Sequence, residues 1–330
     1  MNKVGFTLGK FMPPHNGHLH LIREGAKQVE KMYVLMCSIE KECIPGYLRY
    51  NWLKNIFKHD KNIEIIHVTD ENPQEPIEHP DFWNIWKGTF DRNLPEKPDI
   101  FFSSEQYGFD LENKLDIKHI LIDLKRENYP VSARFIRENP FKYWEFIPDV
   151  VKSFYKKKIV LTGPESVGKS ILAEKLAKHF KTTWMPEYGR EYYEKAMPHF
   201  DEMGISHIAG GHLALEEKAL LEANKILFLD TDLIVTEIWS EIYFNACPEW
   251  ILEANHQARQ RADLYLLLSP DIEWVDDGTR SYKNIRQKQF EIIKSELIKR
   301  RLNFEIISAD FEKRFNDAVK SVEKIYSKLN

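Results

Sequence analysis

Short apolar runs rich in β-branched and aromatic residues recur through the first half of the chain, at Val4–Leu8, Met32–Cys37, Ile63–Val68, Ile100–Ser103 and His119–Ile122. Their length and composition predict buried strands. Between them, His18–Lys31, Gly46–Phe57 and Asp81–Arg92 carry apolar residues at three- and four-residue intervals, the period of an amphipathic helix. Strands that alternate with helices predict a parallel sheet covered on both faces, with ligands beyond the carboxyl ends of its strands.

The alternation restarts at Lys158. Strand-like runs lie at Lys158–Thr162, Ile226–Asp230, Leu264–Leu268 and Phe304–Ile307, and helical periodicity at Lys169–Phe180, Ile205–Asn224, Leu233–Phe244 and Asn284–Arg301. A restart predicts a second sheet, so the expected class is α/β with two tandem parallel-sheet domains, 1–155 and 156–330. The join, Asn139–Tyr155, holds no glycine–serine linker but does hold Phe141, Tyr143, Trp144, Phe146 and Phe154. It predicts a packed helical connector and an apolar contact between the domains. Pro73, Pro76 and Pro80 mark Asn72–Pro80 as a loop.

At 330 residues, 43% of them hydrophobic and 30% charged, the chain can fill a core in each half without a disordered tail. A net charge of -4 with no basic run argues against a protein built to neutralise nucleic-acid phosphates. Cys37, Cys43 and Cys247 are scattered and odd in number, which fits a reducing compartment and neither a zinc site nor a redox dithiol. The start of the chain lacks the charged, apolar and small-residue series of a signal peptide, and no apolar stretch approaches a membrane span. These features predict a cytoplasmic protein with no membrane or nucleic-acid partner; self-association into a homo-oligomer is left open.

The first strand runs into GKFMPPHNGH, Gly9 to His18. Gly9 lets the backbone approach a phosphate, the proline pair stiffens the turn, and His15 and His18 stand near a helix start. Two imidazoles beside the positive end of a helix make a polyanion site. An isolated histidine pair is more often a cap or a surface feature, but the full GxFxPxHxGH spacing after a strand weighs against that reading. Gly9, Lys10, Phe11 and Gly17 are the nucleotide-binding candidates here, with His15 and His18 catalytic. The pattern resembles the nucleotidyltransferase superfamily, which transfers a nucleotidyl group from a nucleoside triphosphate and releases pyrophosphate. Ser132 and Arg137 in PVSARFIR match that superfamily's ISSTxxR motif, while Ala133 and Arg134 depart from it. Ser132 can cap a helix facing the β- and γ-phosphates, and Arg137 can reach the same anion. A phosphomonoester acceptor is already an anion at neutral pH, so no nucleophilic triad is expected. Ser104 and Glu105, at a strand's end, are candidates for ribose or base contacts, and strand-end turn residues are an equal reading. Trp83 and Trp86 can stack a cationic ring, although core packing explains them as well.

GPESVGKS, Gly163 to Ser170, matches GxxxxGK[ST] between an apolar strand and an amphipathic helix, the context a P-loop requires. Gly163, Glu165, Ser166, Val167, Gly168, Lys169 and Ser170 would cradle phosphates, Lys169 meeting the β- and γ-oxygens and Ser170 joining Mg2+. Three clusters suggest an acceptor: EYGR with Glu187, Tyr188 and Arg190, DTD with Asp230 and Asp232, and WVDDGTR with Trp274, Asp277 and Arg280. Asp230 and Asp232, at a strand's carboxyl end, are candidates to hold Mg2+ or to accept a hydroxyl proton, with Glu187 a rival for the base. A helix cap is the plain alternative for each acid, and most of all for Asp232, which directly precedes a helical run. Arg280 reads as a lid arginine or a surface one. The layout is that of a small-molecule kinase.

An HxGH transferase followed by a P-loop kinase resembles the NadR family, over nearly the whole chain. The strings GKFMPPHNGH, FFSSE, VSARFIRENPFKYWEFIP, PEYGRE, FLDTD and EWVDDGTRS carry the likeness, the connector and EYGRE being more specific than either phosphate motif. The resemblance implies a Rossmann-like nicotinamide mononucleotide adenylyltransferase followed by a ribosylnicotinamide kinase. Its ligands would be ATP with Mg2+, ribosylnicotinamide, nicotinamide mononucleotide and NAD. The family's helix-turn-helix repressor domain is not expected here, because the transferase strand begins at Val4. Two rivals stand beside this reading: a transferase for another phosphomonoester fused to an unrelated kinase, and an NAD-sensing regulator with degenerate sites.

Overall fold

Val160 and its neighbours Ile159 and Leu161 point to opposite faces of one strand and are buried on both, the signature of a strand at the centre of a parallel sheet. That strand belongs to the second of two compact units, Met1–Phe154 and Tyr155–Asn330, a division one residue before the expected boundary. We describe residues 3–105, 112, 114, 117–190, 192, 201–256, 262–273 and 285–327 of the computed structural model. Among the described residues no helix is long and apolar enough to cross a membrane.

The first unit holds β1 (Val4–Gly9), β2 (Lys31–Cys37), β3 (Ile63–Val68), β4 (Ile100–Ser103) and β5 (Lys118–Leu121). They form a parallel sheet in the order β3-β2-β1-β4-β5. Its described long helices are α1 (Asn16–Ala26), α2 (Gly46–Ile56) and α3 (Phe82–Asn93), followed by the short α4 (Ala133–Glu138). The chain runs outward from β1 through β2 and β3, then crosses to β4 on the other side. The carboxyl ends of β1 and β4 therefore flank a topological switch point, where a crevice for ligand opens. Periodicity overran α1 by five residues, because Val29 is buried beyond the helix end and mimics one more helical position. The connector is helical in part, with a 3-10 turn at Trp144–Phe146 and α5 at Asp149–Tyr155.

The second unit holds β6 (Lys157–Thr162), β7 (Trp184–Met185), β8 (Ile226–Asp230), β9 (Leu264–Leu268) and β10 (Phe304–Ile307), parallel in the order β10-β9-β6-β8-β7. Its helices are α6 (Lys169–His179), α7 (Glu202–Glu222), α8 (Leu233–Phe244), α9 (Glu249–His256), α10 (Arg286–Lys299) and α11 (Phe311–Ser327). One face of the sheet packs Ile159, Leu161, Phe228 and Leu266 on Leu172, Leu176, Ala318 and Val322 of α6 and α11. The other packs Val160, Leu229 and Tyr265 on Ala219, Ile238 and Phe290. Hydrophobic patterning missed β7, whose two residues are too few to show a period, and α11, which follows the last apolar run.

Leu161 has no exposed surface and sits between its strand neighbours β8 and β9 in the central ladder. Leu161→Ala should therefore cost about 2–5 kcal/mol of the second unit's stability, the range for a buried leucine that leaves a cavity. Urea unfolding measures this, and a loss well below 1 kcal/mol would mean that the core closes around the vacancy.

Candidate functional site

β1 ends at Gly9, and α1 begins at Asn16, so the first motif is the turn between a strand and a helix at the switch point. His15 occupies the N-cap position of α1 but makes no side-chain cap bond. Both imidazoles are turned inward instead: His15 is buried, and the two rings stack with centroids 3.7 Å apart. The Phe11 ring meets His18 edge-on at 5.0 Å. A Cβ on Gly17 would come within 3.1 Å of the His15 ring, so the glycine lets that ring lie against the helix. The Nδ1 atoms of both histidines are buried without a hydrogen-bond partner among the described residues. Stacked, buried imidazoles cannot both carry charge at low cost. Burial pushes His18 down to about 3, helped by the charge of Arg126, and lowers His15 further through burial, His18 and Arg126.

The loop carbonyls are held from behind. Arg49 on α2, fully buried, donates from Nη1 to the Lys10 and Cys37 carbonyls and from Nη2 to Glu42. Glu42 also pairs with the Lys10 ammonium at 3.3 Å. Ser132 caps α4 by accepting from the Phe135 N–H at 3.2 Å, and Arg137 on the same helix donates to the Met12 carbonyl. His15, His18, Lys10 and Arg137 thus meet around one turn. At the carboxyl end of β4, Ser103 Oγ donates to the Glu105 carbonyl at 2.9 Å and fixes the turn bearing Ser104 and Glu105. Arg126, from a loop held by Asp123 through the Glu127 and Asn128 N–H groups, lies 3.8 Å from the Glu105 carboxylate. Trp83 and Trp86 pack beside the core of Val4, Phe6 and Tyr33, and Trp86 Nε1 donates to the Pro73 carbonyl at 3.0 Å. Core packing, the plain alternative for the pair, accounts for those contacts. Arg49, Glu42 and Arg126 escaped sequence reasoning; Arg49, inside a helical stretch, looks like a surface residue until the fold buries it.

In the second unit the loop between β6 and α6 carries GPESVGKS. Lys169 Nζ reaches back to the Gly163 and Pro164 carbonyls at 3.2 and 3.0 Å, spanning the loop. Ser170 Oγ donates to one oxygen of Asp230, at the carboxyl end of β8. The other oxygen is buried without a partner among the described residues, as is Oε2 of Glu165. Glu187 follows β7; burial raises its pKa, with the Lys169 charge opposing and Asp230 adding to the rise. The Tyr188 ring lies against Gly211 of α7, and Arg190 is close enough to act on the Glu187 charge. Asp232 stands apart from this group: it caps α8 through the Val235 N–H at 3.2 Å and accepts from the Tyr265 hydroxyl at 2.6 Å. With both oxygens engaged in the fold, its cap reading is the one the geometry favours. Trp274, Asp277 and Arg280 lie outside the described residues.

The family model of cytidylyltransferase-like proteins matches residues 6–182, and that of an AAA domain matches residues 158–314. The chain is 32% identical to the "Trifunctional NAD biosynthesis/regulator protein NadR" of Escherichia coli, over 98% of this chain and 83% of that protein. Its identity to the protein of the same description in Salmonella typhimurium is 33%, over the same shares. A crystal structure of a NadR protein in complex with NAD and AMP-PNP matches the fold with a TM-score of 0.82 at 22% identity, covering 98% of this chain and 96% of the other.

A histidine whose pKa is depressed on folding destabilises the fold where the unfolded chain takes up the proton first. Stability from His18 is therefore complete above its ordinary 6.5 and drains away as the pH falls from there toward about 3. NMR of the His18 ring in the nucleotide-free protein should show no titration between about pH 7 and about pH 4; a midpoint near the ordinary value would refute the buried neutral pair.

Proposed function

Because the chain belongs to the NadR family, we infer that it is a bifunctional enzyme of NAD biosynthesis. It phosphorylates ribosylnicotinamide with ATP to nicotinamide mononucleotide, and adenylylates that mononucleotide with a second ATP to give NAD and pyrophosphate. The observation that carries the reading is that each unit carries its phosphate motif in the loop between the first strand of its sheet and the helix that follows. The chemistry joins them, since the product of the kinase is the phosphomonoester anion that the transferase consumes. Both reactions consume ATP, which supports a cytoplasmic location.

In the first unit, the mononucleotide phosphate attacks the α-phosphorus of ATP and pyrophosphate leaves. The nucleophile is already charged, so the protein has to align the reactants and neutralise the charge that builds on the phosphorus and the leaving group. His15 and His18, neutral before binding, act as N–H donors to the phosphates and gain basicity as the polyanion approaches. Lys10 and Arg137 supply fixed positive charge. Gly9, Phe11, Gly17 and Ser132 shape the turn around the triphosphate. Ser104 and Glu105 stand at the crevice edge for nucleotide hydroxyls, and a face of Trp83 or Trp86 would stack on the cationic nicotinamide ring.

In the second unit, Gly163, Glu165, Ser166, Val167 and Gly168 wrap the phosphates and Lys169 bonds the β- and γ-oxygens, leaving the carbonyls it now holds. The ribosylnicotinamide hydroxyl attacks the γ-phosphorus, the bond to the β,γ-bridging oxygen breaks so that ADP leaves, and the hydroxyl proton passes to a carboxylate. Glu187 suits that role, because its raised pKa makes it a better base than an ordinary carboxylate. Asp230 is then free for the metal. Its unpartnered buried oxygen and the Ser170 hydroxyl fit a hard cation that takes oxygen ligands. Mg2+ bound there would neutralise charge on the phosphate oxygens. Tyr188, Arg190 and, from the segment outside the described residues, Trp274, Asp277 and Arg280 complete the acceptor side; Asp232 supports it only through α8.

Lys169→Ala should lower ribosylnicotinamide phosphorylation by roughly 10²-fold or more while leaving adenylylation of supplied mononucleotide within about twofold, and His18→Ala should do the reverse. Separate assays of the two half-reactions decide it. If either substitution silenced both reactions in folded protein, the two-site reading would fail.

A further inference from the structure

A loop that wraps phosphates needs its peptide N–H groups turned toward them, and in a trans peptide the carbonyl then points the opposite way. Once buried, that carbonyl needs a donor of its own. In the second unit two arginines outside every phosphate motif supply these donors. Arg314 on α11 is 1% exposed. Its Nη1 donates to the Val167 carbonyl at 2.8 Å, its Nη2 to the Ser269 carbonyl at 2.8 Å, and its Nε to the Ala309 carbonyl at 2.7 Å. Nη2 also bonds Asp271, whose second oxygen accepts from the Ala309 N–H at 2.7 Å. Arg286, at the start of α10, donates from Nη2 to the Ser166 carbonyl at 3.2 Å and from Nη1 to the Ile272 carbonyl at 3.1 Å.

The peptide that carries the Val167 carbonyl also carries the Gly168 N–H, and the peptide of the Ser166 carbonyl carries the Val167 N–H. Two guanidinium groups thus fix the direction of two successive loop donors. The curl they hold has Ser166 at φ 57° and Gly168 at φ 83°, both left-handed, the kind of backbone that gathers N–H groups into an anion nest. At Gly168 a Cβ would also come within 2.9 Å of the Phe311 ring, so α11 closes on the loop from behind.

We propose that Arg314 and Arg286 are positioning residues for the kinase reaction: by holding the Val167 and Ser166 carbonyls they aim the Gly168 and Val167 N–H groups at the phosphates of ATP. The proposal rests on the reading of this loop as the kinase's ATP site. In this role both act through the loop backbone, by way of the Val167 and Ser166 carbonyls. Charge alone would not serve, because three carbonyls on three separate segments need the planar fork of a guanidinium, and the single nitrogen of lysine cannot reach them together.

Arg314→Lys in the full chain separates geometry from charge. Ribosylnicotinamide phosphorylation is measured with ATP and acceptor varied separately, and amide hydrogen exchange is followed by mass spectrometry across the loop and the sheet. The KM for ATP should rise about tenfold or more while the KM for the acceptor stays within about twofold. Exchange should quicken in residues 163–170 and stay unchanged in β6, β8 and β9. An unchanged KM for ATP would overturn the proposal, and so would an equal rise in both KM values with faster exchange throughout the sheet, the pattern of a merely structural residue. Should Arg314→Lys fail to fold, Arg286→Lys, which takes away the fork that holds the Ser166 and Ile272 carbonyls, is judged by the same outcomes. If the wild-type chain did not phosphorylate ribosylnicotinamide, the functional reading would fall by itself. The exchange comparison would still decide whether the arginines hold the loop.

Discussion

Peptide groups cannot offer their N–H to an anion without sending their carbonyls into the protein, and a carbonyl buried without a donor costs on the order of 1–3 kcal/mol. Both units meet this constraint with arginine, buried at Arg49, Arg286 and Arg314 and exposed at Arg137. In the first, Arg49 takes the Lys10 carbonyl and Arg137 the Met12 carbonyl; in the second, Arg314 takes Val167 and Arg286 takes Ser166. The sheets fix where the loops begin and end, and the arginines fix how each loop is turned. Arg49 and Arg314 come from helices well separated in sequence from the loops they hold, so the shape of each loop depends on the packing of its whole unit.

Charges near the loops divide into those that must stay and those that can move. The Arg49–Glu42 pair is buried, and breaking a pair of that kind typically costs about 3–5 kcal/mol. The Lys10–Glu42 contact is different, because the Lys10 side chain is 45% exposed, and a surface pair is worth only about 0–1 kcal/mol. A phosphate can therefore draw Lys10 away from Glu42 with little opposition, whereas Arg49 keeps Glu42 in place. Lys169 follows the same logic, since its partners are carbonyls of its own loop. The histidine pair adds a third mode, neutral until an anion arrives, because two stacked rings shut away from water cannot share the site as cations.

Much of the fold was legible because buried parallel strands are continuous apolar runs. Ile63–Val68, Ile100–Ser103, Ile226–Asp230, Leu264–Leu268 and Phe304–Ile307 end where the composition changes. Legibility failed where the period was too short or was counterfeited, as in the two-residue β7 and at Val29. The sites were legible in the same uneven way. Glycine, lysine and serine at P-loop spacing, and histidines at HxGH spacing, announce themselves because the backbone of a phosphate loop tolerates few alternatives. The helix-capping role of Asp232 was visible beforehand as one of two readings, and only its bonds to the Val235 N–H and the Tyr265 hydroxyl decided between them.

By itself, the sequence determined that there are two α/β units and which strand-to-helix turns carry the phosphate motifs, because these are properties of neighbours along the chain. Tertiary structure alone decided what stands behind those loops. Arg314 shares a helical face with Ala318 and Val322, both fully buried, so a charged residue occupies an apolar stripe, a signal that acquires meaning only once the Val167 carbonyl is known to lie opposite it. Contacts such as Arg314 with Val167, or Arg49 with Lys10, join residues far apart in the chain, and no local spacing encodes a bond whose two ends meet only after the sheet has brought them together.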